Sequence, residues 1–222
     1  MTAFLLVFDL DGTLVDSVPD LTNALNEVLR EHGYGRLTPD EVKPMVGNGV
    51  PALLSRAFTA RGGTAQEAAA VLPHYVKVYE ATATNLSRPY PGVRETMLAL
   101  RETGYRTAVC TNKLQNASIT VLQGLGLDDL FDSVAGGDKY AVRKPDPGHL
   151  LGVIDELGGS VDRALMVGDS ENDAAVAHAA RIKLVMMRYG YARNDPATFG
   201  ADAVLDRFAE LPQALERLGI RP

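Results

Sequence analysis

Phe4-Leu5-Leu6-Val7-Phe8-Asp9-Leu10-Asp11-Gly12-Thr13-Leu14-Val15-Asp16 is an apolar run that stops abruptly at acids. Five large apolar residues in succession, without alternation, predict a strand buried on both faces, as in the middle of a parallel sheet. The acids then fall at its carboxyl end. Side chains alternate along an extended chain, so Asp9 and Asp11 can point to the same side, and Gly12 lets the backbone turn close to whatever binds there. Two carboxylates aimed at one point repel unless a cation lies between them. A hard cation that takes oxygen ligands, Mg²⁺, suits such a pair. Without that partner, Asp-Leu-Asp-Gly-Thr is a strand end with ordinary turn and capping residues.

Beyond Asp16, Val18, Leu21, Leu25, Val28 and Leu29 recur at helical spacing, and Gly33 supplies a stop. Thr38-Pro39-Asp40-Glu41 joins a cap, a proline at the first helical position and an acid at the third. Thr64-Ala65-Gln66-Glu67 repeats the cap-and-acid spacing for a helix reaching about residue 84. Between them Gly47-Asn48-Gly49 breaks the pattern, and Pro51 can open another helix through Leu53, Leu54, Ala57 and Phe58. No strand is predicted from 17 to 88. After Pro89-Tyr90-Pro91-Gly92 the rhythm changes to alternation, with helices over 93–102, 115–125, 147–157, 172–180 and 212–218 and strands at 106–110, 133–135, 164–167, 184–187 and 203–205. Such alternation specifies an α/β fold, a parallel sheet covered on both faces. An all-helical stretch is inserted directly after its first strand.

Composition narrows the partners. The 222 residues carry a net charge of −6, which supplies no polycationic field of the kind nucleic-acid backbones demand. No nucleic acid is expected as a partner. Hydrophobic residues make up 46% of the chain, enough for a real core in one domain plus an insert. Met1-Thr2-Ala3 lacks positive charge, and the apolar run after it is too short for a secretory signal. No later stretch approaches the roughly 20 apolar residues of a membrane span, so a cytoplasmic chain with no membrane partner is expected. The one cysteine, Cys110, precludes an internal disulfide and has the apolar flank of a buried small side chain. His32, His74, His149 and His178 share no metal-ligand pattern. Tyr75 and Tyr79 read as core at helical spacing.

Ligands of parallel sheets bind beyond the carboxyl ends of the strands, and three further polar stretches stand there. Thr111-Asn112-Lys113 follows the strand at 106–110 and puts a hydroxyl and an amide at the same edge as Asp9. Taken alone it is a loop with a helix cap, and Lys113 reads as a solvated turn lysine. Arg143-Lys144-Pro145-Asp146-Pro147 opens a helix. A lysine there is either a surface charge or a fixed cation that lowers the repulsion between an attacking carboxylate and a phosphate. Gly168-Asp169-Ser170-Glu171-Asn172-Asp173 follows 164–167. Helix capping accounts for one of its acids, but not for a carboxylate-rich loop beside Asp9 and Asp11 unless a cation offsets it.

These four stretches, in this order and at these strand ends, resemble the four signatures of the haloacid dehalogenase superfamily of phosphotransferases, over essentially the whole chain. The resemblance implies a Rossmann-like core from residues 1–16 and 89–222 and a small helical cap, 17–88. It implies Asp9 as nucleophile, Asp11 as general acid/base and Thr13 as support of their loop. Thr111 would bind the transferring phosphoryl group, with Asn112 as an additional donor, and Lys144 would be the cation. Mg²⁺ would be held by Asp9, Asp11 and Asp169, with Asp173 auxiliary. One departure is Ala179-Ala180-Arg181, where the family commonly has a glycine.

Within the superfamily, Val46-Gly47-Asn48-Gly49, Gly136-Gly137-Asp138 and Tyr189-Gly190-Tyr191 look most like phosphoglycolate phosphatases. Gly47, Asn48 and Gly49 are then expected at the substrate, where glycines let backbone N–H groups approach a small anion. The implied enzyme is a Mg²⁺-dependent phosphatase acting on a small phosphorylated metabolite through an aspartyl phosphate, as a monomer or homodimer. Related caps serve pyrophosphatases, sugar-phosphate phosphatases and phosphoglucomutases. A dehalogenase has no use for Asp11, and a phosphonatase would need a Schiff-base lysine for which only Lys43 is near. A phosphoacceptor signalling domain shares the acidic pocket and lysine, but it must keep its aspartyl phosphate, and Asp11 stands ready to speed its loss.

Overall fold

Strand β1 (Leu5–Phe8) is buried along its whole length, because its alternate side chains enter two different cores. Leu6 and Phe8 face one cluster, where Phe8 meets Phe131 and Phe208 at ring-centroid distances of 6.3 and 5.9 Å. Leu5 and Val7 face the other. An unbroken apolar run is what a strand with no polar side requires, and truncating Phe8 to alanine in such a core would cost about 3–5 kcal/mol.

The computed structural model describes residues 3–222; Met1 and Thr2, the start of the expected core segment, lie outside the described residues. After β1 come β2 (Val15–Asp16), α1 (Val18–Glu31), α2 (Pro39–Val42), α3 (Val50–Ala60), α4 (Ala65–Ala70), α5 (Leu72–Thr82) and β3 (Arg88–Pro89). The chain then alternates through α6 (Val93–Glu102), β4 (Arg106–Cys110), α7 (Gln115–Gly124), β5 (Ser133–Ala135), α8 (Pro147–Glu156), β6 (Ala164–Gly168), α9 (Glu171–Ala180), β7 (Lys183–Met187), β8 (Ala203–Leu205) and α10 (Leu211–Arg217). The six-stranded sheet has the order β5-β4-β1-β6-β7-β8 with every pair parallel. β1 is thus central. The chain leaves it on the β4 side and returns on the β6 side, so the crevice for a ligand opens at the carboxyl end of β1.

Two expectations need correction. The single helix expected from Thr64 to about residue 84 is two, α4 and α5, with the break at Val71. Pro73 lacks an N–H and its ring collides with the carbonyl four residues back, so a continuous helix cannot pass through it. The stretch expected to hold no strand ends in one: β3 pairs antiparallel with β2, Val15 opposite Pro89 and Asp16 opposite Arg88. A two-residue ladder has too little length to show a period in sequence. The pair ties the entry and exit of the helical insert together, and Asp20 reinforces it. Its buried carboxylate accepts from the N–H groups of Leu86 and Ser87 and from the Ser87 hydroxyl.

At the missing glycine, Arg181 ends α9 in the left-handed region with φ 58°, the only described residue other than glycine with positive φ. Cys110 is buried, and burial pushes its thiol up to about 12, so it packs and carries no thiolate. Among the described residues no helix is long and apolar enough to cross a membrane.

Candidate active site

The sheet delivers Asp9 to the crevice. Its N–H donates to Val167 O at 2.9 Å, continuing the ladder with β6 one residue past the strand. Thr111 does the same on the other side, donating to Ala135 O at 2.9 Å. Asp9 Oδ1 accepts from Leu10 N–H at 2.7 Å and meets Lys144 Nζ at 3.0 Å. Among the described residues the bonds of the carboxylate fall on Oδ1, which leaves Oδ2 without a protein partner.

Three acids converge here. Asp9, Asp169 and Asp173 are buried and can bring one oxygen each within 4.8 Å of one another. Burial, and then the Asp173 charge, raise the Asp9 pKa to about 6 in spite of Lys144. Asp169 is pushed above the ordinary carboxylate range by burial and by Asp173 and Asp9. Burial works against the Lys144 charge, yet the carboxylates of Asp173 and Asp9 override it and hold its pKa above that of a free lysine. One ammonium against three buried carboxylates leaves an excess of negative charge, and hard oxygen donors in that state fit a divalent cation such as Mg²⁺.

Asp173 is already saturated. Its Oδ1 takes Lys144 Nζ at 2.6 Å, and its Oδ2 accepts from the N–H groups of Asp169 and Ser170 and from the Ser170 hydroxyl. It therefore anchors Lys144 and caps α9, leaving Asp9 and Asp169 as the carboxylates free to hold a metal. Asp169 is aimed by Thr13 Oγ1, which donates to it at 2.6 Å, and by Tyr191 N–H at 2.7 Å. A Cβ at Gly12 or Gly190 would overlap the Asp169 carboxylate, so both positions are bare, and Gly12 also turns at φ +91°. The Lys144 main chain is gripped from both ends: its N–H donates to His149 Nδ1 at 3.2 Å and its carbonyl accepts from Asn112 at 2.9 Å. Burial, and then the Lys144 charge, push His149 down to about 4, so it stays the neutral acceptor this contact needs.

The Asp11 carboxylate does not converge on that of Asp9. Lys113 Nζ binds it at 3.0 and 3.1 Å and also donates to Tyr79 Oη at 2.7 Å, lying 4.5 Å from the Tyr79 ring centroid. This corrects two readings. Lys113 is 7% exposed, not a solvated turn lysine, and Tyr79 of α5, though buried as expected, belongs to the site wall. The charge argument for a metal accordingly moves from the Asp9–Asp11 pair to Asp9 and Asp169.

Asn112 is also corrected. Its amide donates to Lys144 O and to Gly47 O, each at 2.9 Å, so neither N–H remains for a phosphoryl group. It ties the insert to the core instead. Asn172 donates to the same Gly47 carbonyl at 3.0 Å. Asn48 turns away from the cavity, its Oδ1 accepting from Arg56 at 2.7 Å and from Arg193 at 2.9 Å, while Gly47 and Gly49 line it. The segment after β7 completes the tie: Arg193 donates to Pro44 O at 3.0 Å, and Tyr191 Oη donates to Asp16 and accepts from Ser17 N–H. Sequence reading missed Lys113, Tyr79, His149, Tyr191 and Arg193. Lys113 and Tyr191 stood in stretches already singled out, Thr111-Asn112-Lys113 and Tyr189-Gly190-Tyr191, but without these roles.

A buried carboxylate at the end of the central parallel strand, with a second acid two residues on and the buried Lys144 3.0 Å from it, has a counterpart among known proteins. The family model for haloacid dehalogenase-like hydrolases matches residues 6–187. The chain belongs to that family. It is 44% identical over 229 residues to the phosphoglycolate phosphatase of Rhodospirillum rubrum, covering 97% of this chain and 95% of that one. It is 41% identical over 211 residues to that of Caulobacter vibrioides, covering 94% and 89%. The crystal structure of a predicted phosphoglycolate phosphatase from Haemophilus somnus superposes with a TM-score of 0.90 at 33% identity, covering 96% of this chain and 98% of that one. This hydrolase is an enzyme of the phosphoric monoester class.

Proposed function

We propose that the enzyme hydrolyses 2-phosphoglycolate to glycolate and phosphate in the cytoplasm, through a phosphate ester on Asp9, with Mg²⁺ as cofactor and residues 17–88 as a cap over the core of 1–16 and 89–222. The observation that carries this reading is the free Asp9 Oδ2 beside Lys144, whose Nζ lies 3.0 Å from Oδ1. Asp9 attacks phosphorus, the ester P–O bond breaks, and Asp11 gives the departing glycolate oxygen a proton. Asp11 then takes a proton from water as that water attacks the phospho-Asp9, and phosphate leaves with Asp9 restored. Lys144 offsets the meeting of two anions, and Thr111 faces the phosphoryl group from the β4 side. Asp9 and Asp169 would hold Mg²⁺, which would supply charge neutralisation for the phosphoryl oxygens.

Support for this substrate comes from the relatives named phosphoglycolate phosphatase. The test is kcat/KM with Mg²⁺ across 2-phosphoglycolate, pyrophosphate, hexose phosphates and an aryl phosphate, with 2-phosphoglycolate expected to lead. Rapid quench and mass spectrometry should recover phosphorylated Asp9. Turnover in a verified Asp9→Asn preparation would rule out the covalent route.

A further inference from the structure

The cavity beside Asp9 has unlike ends. Asp9 and Thr111 stand at the sheet, whereas the insert contributes Leu21, Val50, Leu53 and Val76 and no charged side chain. An anionic group entering that end loses its water and needs a cation or donors in return. Lys113 is the only cation lining the cavity among the described residues. Its ammonium has three N–H donors and meets three acceptors, both Asp11 oxygens and the Tyr79 hydroxyl. An incoming anion would take one of these bonds in exchange and share the charge.

Tyr75 provides an independent sign. It is fully buried, lines the same cavity, and its hydroxyl has no hydrogen-bond partner among the described residues. Buried hydroxyls are rarely left unpaired, and each exception calls for a reason. Tyr75 and Tyr79 sit one turn apart on α5 with rings stacked, centroids 6.1 Å and planes 9° apart. Two phenols therefore stand side by side, and one already touches Lys113. α3 also starts at this wall, with Gly49 as its cap and no side chain bonding its first amides.

We propose that the Lys113 ammonium and the Tyr75 hydroxyl form an anion subsite that receives the carboxylate of the leaving group. The inference rests on the phosphoglycolate reading and adds the residues that would recognise the far end of that substrate. It also explains why a lysine is kept buried among apolar side chains: it serves Asp11 in the resting enzyme and the substrate carboxylate in the complex.

The experiment compares the Mg²⁺-loaded enzyme on three esters: 2-phosphoglycolate, the longer 3-phosphoglycerate, and 2-hydroxyethyl phosphate, which replaces the carboxylate of phosphoglycolate by a neutral group. The readout is the ratio of kcat/KM for a carboxylated ester to that for 2-hydroxyethyl phosphate. Tyr75→Phe removes one oxygen and should lower the ratio about tenfold, the worth of a hydrogen bond to a charged group. Lys113→Met should lower it about 100-fold or more, as loss of a buried charge partner does, on top of a smaller loss shared by all esters because Asp11 is left unpaired. If Lys113→Met does not fold, Tyr75→Phe decides. Unchanged ratios in the folded variants overturn the subsite, as does a wild-type enzyme that favours neither carboxylated ester over the neutral one. A wild-type enzyme that prefers 3-phosphoglycerate, with a ratio that still depends on Lys113 and Tyr75, removes the phosphoglycolate reading and leaves the subsite standing.

Discussion

Asp9→Asn should do more than abolish turnover: it should make the metal-free protein more stable at neutral pH. The reason lies in crowding. Asp9 is 6% exposed and shares its surroundings with Asp169 and Asp173, against the single ammonium of Lys144. Its pKa rises from 3.8 to about 6 on folding, through burial first and the Asp173 charge second. An acid whose pKa is raised in the folded state binds its proton more tightly there than when unfolded. It therefore adds stability below pH 3.8 that is lost as pH rises through about 6. At about 1.4 kcal/mol per pH unit, the ionised carboxylate costs the fold ~3 kcal/mol at pH 8 relative to its neutral form. Asparagine keeps the shape and never ionises. The Tm difference between Asp9→Asn and wild type, measured in EDTA, should grow from pH 4 to pH 8 by about 6–12 °C, given 2–4 °C per kcal/mol for a chain of this size. His149, with its pKa pushed down to about 4, loses stability in the opposite direction as pH falls from 6.5, but it does so in both proteins and cancels in the difference. Added Mg²⁺ should raise the Tm of wild type more than that of the variant. A Tm difference that stays flat from pH 4 to pH 8 would refute the crowding argument.

Three further predictions follow from the same geometry. Chelation should remove activity and Mg²⁺ restore it, with Ca²⁺ a poor substitute because its larger, looser shell misplaces the phosphate; Asp169→Ala should raise the Mg²⁺ concentration for half-maximal rate sharply, and activity unchanged after exhaustive chelation would count against the metal. Gly47→Ala and Gly49→Ala, at φ +107° and +82° on the cavity wall, should lower kcat/KM for 2-phosphoglycolate more than for an aryl phosphate, and equal losses would assign the loop a purely structural part. Arg181→Gly should stabilise the protein by about 0.5–1 kcal/mol, since glycine removes the left-handed strain that arginine bears at the end of α9; the check is the urea midpoint at constant m.

How far the sequence reached is clearest at the strand ends. The run Phe4 to Phe8 predicts a doubly covered strand, because five apolar residues without alternation leave no solvent face, and β1 is that strand from Leu5. Capping boxes at Thr38 and Thr64 were legible and are present, each threonine exchanging bonds with a glutamate three residues on. These are local signals, carried by neighbours along the chain. Asp9, Thr111, Lys144 and Asp169 were legible for a related reason: each follows or opens an element whose end the topology brings to one edge of the sheet.

What the sequence could not decide is which side chain each of those groups would meet. Lys113 and Asp11 lie 102 residues apart and Tyr191 and Asp16 lie 175 apart, and no pattern in a window of a dozen residues encodes such a pairing. A lysine after a strand reads as solvated until α5 is folded over it and its charge must be answered by Asp11 and Tyr79. Asn112 reads as a donor until its two N–H groups are counted and found on Lys144 and Gly47. Asp173 reads as one more acid until its four bonds show that it holds Lys144 and caps α9. The sequence determined the elements, their order and the chemistry available at each strand end, since propensity, capping and apolar periodicity act over a few residues. Only the tertiary structure decided how that chemistry is partnered. Burial makes every unpaired charge or donor costly, and the partner that satisfies it can come from anywhere in the chain.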